Sequence, residues 1–157
     1  MRRVLFVCTG NTCRSPMAEA IALHLLGERV GTEIAVHSAG LSAVAGSPPT
    51  VEAMSALAAR DILPPPPGGS KGLSVRDALD ADVVYGMTLG HVEAVRRVAP
   101  EANVQALDPS GEDVLDPFGG PPSEYDDVCG RLYRLVEGRL PDMLPGLLPG
   151  GASGRER

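Results

Sequence analysis

Val4-Leu5-Phe6-Val7-Cys8-Thr9-Gly10-Asn11-Thr12-Cys13-Arg14-Ser15-Pro16 is the stretch from which the fold is read. Its first four residues form a short continuous apolar run with a β-branched residue at each end, the pattern of a strand buried in a parallel sheet. From Cys8 to Arg14 the periodicity breaks. Ser15 then precedes Pro16, so Ser15 reads as a helix N-cap and Pro16 as the first helical residue. Met17, Ile21 and Leu25 follow at i+4 spacing and predict a helix to Leu26, with Gly27 and Gly31 at its end. The loop thus lies between a strand and a helix N-terminus, where open α/β sheets bind their ligands.

Working outward, Ile34–His37 reads as a second strand, followed by a turn at Ser38-Ala39-Gly40. Val51–Ala59 reads as a helix started by Pro48-Pro49. Asp82–Met87 is a third strand, Thr88–Val98 a helix closed by Pro100, and Val104–Leu107 a short fourth strand. A polar loop covers Asp108–Pro122. Ser123 with Asp126 has the spacing of a capping box. After it Tyr125, Val128, Leu132, Leu135 and Val136 share one helical face, with Asp127, Arg131, Arg134 and Glu137 opposite. Strands alternating with helices predict a single α/β domain with a parallel sheet. From Pro141 onward prolines and glycines argue against structure. The expected domain is therefore 1–140, with a Pro/Gly-rich, partly disordered tail at 141–157 that is loose from Gly150 to Arg157.

Composition narrows the function. The chain has 157 residues and a net charge of −6, with no long Lys/Arg run, which argues against nucleic acid and anionic membrane surfaces. No apolar stretch approaches the roughly 20 residues of a membrane span. Arg2 and Arg3 precede an apolar run, but four residues fall short of the ~7–15 of a secretory signal. Three cysteines, Cys8, Cys13 and Cys129, are too few for a disulfide framework and fit a reducing, cytoplasmic setting. Cys8 with Cys13 finds no second Cys/His pair, and His24, His37 and His91 are scattered, so neither a metal nor another cofactor is expected. Pro64–Pro67 followed by Gly68-Gly69 reads as a stiff polyproline segment running into a hinge.

The chemistry concentrates in Cys8 to Ser15. A helix N-terminus preceded by a turn of N–H groups attracts anions, and it favours the thiolate of a cysteine placed there. Arg14 can hold two phosphate oxygens at once, and Ser15 brings a hydroxyl near the sulfur. These parts describe a nucleophile inside a phosphate cradle.

Cys8 to Ser15, continued by Pro16-Met17-Ala18-Glu19, resembles the active-site loop and first helix of the low-molecular-weight protein tyrosine phosphatases. The resemblance extends through Ser38-Ala39-Gly40, Met87-Thr88 and Asp116-Pro117-Phe118-Gly119-Gly120, covering about residues 2–140 in order. It implies a four-stranded parallel sheet with helices on both faces, flavodoxin-like or Rossmann-like in build. It further implies hydrolysis of phosphorylated protein side chains through a phosphocysteine on Cys8. Arg14 would be the phosphate clamp and Asp116 the general acid. Thr9, Gly10, Asn11, Thr12, Cys13, Ser15 and Phe118 would line the substrate site, with Ser38 supporting Asn11. Phosphate and vanadate-like oxyanions would inhibit. Asp108-Pro109 is a rival to Asp116-Pro117, and Cys13 has two readings, packing residue or disulfide partner that guards Cys8. The family often has a His shortly before Ser-Lys/Arg-x-Leu, but Ser70-Lys71-Gly72-Leu73 here follows Gly68-Gly69.

Thr12, the single aromatic Phe118 after Asp-Pro, and the absence of an aromatic from Leu41 to Ser47 resemble the protein-arginine phosphatase branch of the family. A hydroxyl at Thr12 suits the N–H groups of a phosphoguanidinium. A protein-tyrosine phosphatase is the alternative. Arsenate reduction would need two further cysteines where only Cys129 remains, and a non-catalytic phosphoprotein-binding module would not need Cys8, Arg14 and Asp116 together.

Overall fold

Four parallel strands carry the architecture of the computed structural model, which describes residues 1–146. They are β1 (Arg2–Cys8), β2 (Ile34–Gly40), β3 (Val83–Gly86) and β4 (Val104–Ala106), in the order β2-β1-β3-β4. β1 is central because its side chains are apolar on both faces. Val4, Phe6 and Cys8 enter one core, while Leu5 and Val7 enter the other, the period-two alternation of a strand. Helices α1 (Arg14–Leu26), α2 (Val51–Ala58) and α5 (Pro122–Met143) cover the first face. Helices α3 (Val75–Asp80) and α4 (Leu89–Val98) cover the second. The chain leaves β1 for β2 on one side and later returns to β3 on the other, so the strand order reverses beside the carboxyl end of β1.

Several boundaries differ from those expected, each for a local reason. Ser15 is not the N-cap of α1: the helix starts at Arg14 after Cys13, with no side-chain cap, because the Ser15 hydroxyl is engaged with the Cys8 sulfur. Ser38-Ala39-Gly40 is not a turn but the end of β2, in register with Phe6, Val7 and Cys8. α2 is started not by Pro48-Pro49 but by Thr50, whose hydroxyl accepts the Ala53 N–H. The expected capping box of α5 does not form. Its N-cap is Pro121, and the Asp126 carboxylate pairs instead with Arg60 at 2.6 Å.

α5 also runs through Pro141 to Met143, past the expected boundary at residue 140. A proline in a helix interior costs about 3 kcal/mol, but burial of Leu140 and Met143 returns ~1.5–3 kcal/mol each. Arg2 completes the helix end by donating to the carbonyls of Asp142 and Met143, both at 3.0 Å. The loose tail expected at Gly150–Arg157 lies outside the described residues. Among the described residues, no helix is long and apolar enough to cross a membrane.

Candidate active site

The loop from Cys8 to Cys13 is held open by its surroundings. Its carbonyls point outward to fixed donors: Cys8 to Leu41 N–H (3.0 Å), Thr9 to Ser42 N–H (2.9 Å) and Thr12 to Thr50 N–H (3.0 Å). The Asn11 carbonyl accepts the Ser70 hydroxyl at 2.8 Å. With the carbonyls drawn away, the N–H side of the loop is turned inward, and the Asn11 N–H meets the Cys8 sulfur at 3.3 Å. That is the geometry of an anion cradle. Gly40 makes it possible, since a Cβ there would lie 2.6 Å from the Thr9 carbonyl oxygen and 3.0 Å from the Asn11 nitrogen.

Asn11 adopts φ 56°, a left-handed backbone that a non-glycine residue takes only when held. Its amide supplies the hold. Oδ1 accepts the Lys71 N–H (3.1 Å), an obligate donor, which fixes Nδ2 as the donating end. Nδ2 then donates to Ser15 Oγ (2.8 Å) and to Ser38 Oγ (3.0 Å). Ser15 Oγ lies 2.9 Å from Cys8 Sγ, and toward a thiolate, which has no proton to give, the Ser15 hydroxyl is the donor. Ser38 in turn donates to Glu19 Oε1 at 2.6 Å, and burial raises the Glu19 pKa. Asn11, Ser15, Ser38 and Ser70 are all buried. The network sets two polar groups against the Cys8 sulfur, the Asn11 N–H and the Ser15 hydroxyl.

Arg14 is buried, 5% exposed, at the start of α1. One guanidinium nitrogen donates to the Val114 carbonyl at 3.0 Å, and the other lies 3.6 Å from the Asp116 carboxylate. The arginine therefore ties the loop bearing Asp116 to the cradle. Asp116 is half exposed, and its Oδ1 accepts the Phe118 N–H at 3.1 Å, which shapes the turn after it. Cys8, Thr9, Gly10, Thr12, Cys13, Arg14, Asp116 and Phe118 line one cavity of about 240 Å³. A larger cavity, about 410 Å³, lies behind the loop against Asn11, Glu19 and Ser38 and does not reach Cys8. Cys13 faces three hydroxyls, Thr50 (3.5 Å), Tyr125 (3.7 Å) and Thr12 (3.8 Å).

The rival Asp108 is spent elsewhere. It accepts from Arg131 at 2.9 Å and from the Ser110 hydroxyl and N–H. Those bonds, the Ser110 hydroxyl foremost, hold its carboxyl below the usual range, so it is a poor proton donor. Glu19, Ser70, Thr50 and His91 join the candidate site only in the structure. Glu19 lies inside the motif already quoted, Thr50 three residues before Ala53 has N-cap spacing, and Ser70 and His91 carry no local signal because their partners are distant in sequence.

The family model for low molecular weight phosphotyrosine protein phosphatase matches residues 3–144. A low molecular weight protein-tyrosine-phosphatase, PtpB, from Staphylococcus epidermidis is 33% identical over 139 residues, covering 86% of this chain and 94% of that one. A protein-arginine-phosphatase from Geobacillus stearothermophilus is 36% identical over 149 residues, covering 90% and 95%. Among solved structures, a low molecular weight protein tyrosine phosphatase from T. tengcongensis superposes with a TM-score of 0.82 at 32% identity, covering 90% of this chain and 99% of that one.

Proposed function

The chain belongs to the low molecular weight phosphotyrosine protein phosphatase family, and from that premise we propose that it removes phosphoryl groups from protein side chains, phosphoarginine before phosphotyrosine. In this reading the Cys8 thiolate attacks phosphorus while Asp116 gives its proton to the departing guanidine nitrogen. An S–P bond forms as the P–N bond breaks. Water then attacks the phosphocysteine, Asp116 takes up the water's proton, and phosphate leaves as the thiolate returns. Arg14 and the inward N–H groups stabilise the equatorial oxygens, the electrostatic contribution that is usually largest. Phosphate and vanadate-like oxyanions would occupy the same cradle and inhibit.

The observation that carries the substrate choice is Thr12. It lines the cavity, and among the described residues its hydroxyl has only a 3.8 Å contact to the Cys13 sulfur. That leaves its oxygen free to accept a guanidinium N–H. Phe118 is the aromatic of the cavity lining and is 69% exposed, a single wall rather than a stacking slot for a phenol. The phosphotyrosine reading draws on that same Phe118 and on the relative from Staphylococcus epidermidis.

The test compares phosphoarginine and phosphotyrosine peptides on wild type and Thr12→Ile, which exchanges a hydroxyl for apolar bulk of similar shape. A hydrogen bond to a charged group is worth about 1.5–3 kcal/mol, roughly ten- to more than a hundredfold in rate. Wild type should favour phosphoarginine, and Thr12→Ile should narrow or invert the ratio. A wild-type preference for phosphotyrosine would return the chain to the tyrosine branch.

A further inference from the structure

His91 sits in the first turn of α4 and is buried, 6% exposed. Its ring joins two elements far apart in the chain. Nδ1 accepts the backbone N–H of Thr88 at 3.2 Å. A backbone N–H can only donate, so Nδ1 carries no proton and the neutral ring bears its hydrogen on Nε2. Nε2 lies 2.9 Å from Thr9 Oγ1 and therefore donates to it. Thr9 follows Cys8 directly and lines the cavity. With one lone pair occupied by the imidazole, the Thr9 hydroxyl keeps its own proton free to give.

We propose that His91 is a positioning residue for the phosphoryl-transfer site, fixing the Thr9 hydroxyl as an additional donor to the phosphoryl oxygens. This rests on the reading of the Cys8 loop as a phosphate cradle. Two further features support it. Burial first, then the Arg14 charge, push the His91 pKa down to about 4, against the weaker opposite pull of Asp113 and Asp116. The ring therefore keeps the tautomer that the contact requires. Gly86 opens the space: a Cβ there would stand 3.1 Å from the His91 Cβ and 3.0 Å from a Val92 methyl carbon. Capping alone does not require the Thr9 contact, because the Thr88 hydroxyl already accepts the His91 N–H at 3.0 Å.

Two substitutions separate capping from positioning, since the amide of Asn can mimic Nδ1 and that of Gln can mimic Nε2. Inhibition by inorganic phosphate, kcat/KM on para-nitrophenyl phosphate, and Tm are read for each variant. Thr9→Val should weaken phosphate inhibition and lower kcat/KM about tenfold, the scale of one hydrogen bond to an anion. His91→Asn should do the same with a Tm near wild type, and combining it with Thr9→Val should add no further loss. His91→Gln should recover most of the phosphate affinity while lowering Tm. Phosphate inhibition within twofold of wild type in Thr9→Val, or a His91→Gln no better than His91→Asn, would overturn the assignment. A wild type that neither binds phosphate nor turns over para-nitrophenyl phosphate would instead remove the cradle reading beneath it.

Discussion

Ser15 has one proton to give, and a Cys8 thiolate is the acceptor within reach. The Asn11 amide holds Ser15 Oγ in place by donating to it, 2.9 Å from the sulfur. Ser15→Ala removes that donor while leaving the helix start unchanged, since α1 has no side-chain cap to lose. A charge-assisted bond of about 1.5–3 kcal/mol predicts a loss of roughly ten- to a hundredfold in kcat. A kcat within twofold of wild type would show that the thiolate does not need this donor. The two Asp-Pro pairs make a second prediction. Asp116→Asn should lower kcat by about 10²–10⁴, and the loss should shrink for substrates with good leaving groups. Asp108→Asn should spare kcat and lower Tm, because Asp108 is bound to Arg131 and Ser110. Equal loss of kcat in both would reverse the assignment. That Cys8, Arg14 and Asp116 share one cavity was foreseeable from the sequence, because their motif is contiguous or carries a marked turn. Glu19, Ser70 and His91 act through partners 19, 59 and 82 positions away, and no local pattern reports such separations.

The elements were legible where apolar periodicity alone decides them. β1, α1 and the face of α5 all follow from it. Their ends were not, because each end was set by a competing partner: Cys8 for the Ser15 hydroxyl, Arg60 for Asp126, Arg2 for the last carbonyls of α5. α3 has one sequence signal, the N-cap spacing of Ser74 and Asp77, and the Ser74 hydroxyl accepts the Asp77 N–H. Its six residues are too short for periodicity to show. β2 matters most, since its last three residues, Ser38-Ala39-Gly40, have the composition of a turn but the pairing of a strand. Gly40 closes that strand opposite Cys8, against the Thr9 carbonyl. Gly40→Ala therefore predicts displacement of the cradle rather than unfolding. Turnover of para-nitrophenyl phosphate should fall by at least about tenfold, since an ångström-scale misplacement of catalytic groups can cost a hundredfold. Circular dichroism should stay native. A native rate would mean the loop relaxes around the extra methyl group.

Across the whole molecule, ionisable groups whose surroundings the fold changes make stability follow pH, and those surroundings are a tertiary property that composition does not contain. His91 titrates at about 4 in the folded chain, against 6.5 when exposed. As pH falls through 6.5 the unfolded chain takes up this proton and the folded chain does not, so acidification favours unfolding. By pH 4 the difference is on the order of 3 kcal/mol. His37, lowered chiefly by desolvation, acts in the same direction. The depressed Asp108 also acts this way as pH falls through 3.8 and then its lower folded value. Glu19 opposes them: its raised pKa means the folded chain holds that proton more tightly, so protonating it stabilises the fold. The His91 window, between 6.5 and about 4, lies above that of Asp108, so the histidine loss comes first on acidification. Tm should therefore drop between pH 6.5 and 4, by roughly 6–12 °C for a chain of this size if His91 governs. His91→Gln, which cannot titrate, should start from a lower Tm at neutral pH but lose much less on acidification. Parallel Tm–pH curves for the two proteins would assign the acid sensitivity to other groups and remove the requirement that His91 stay neutral in the fold.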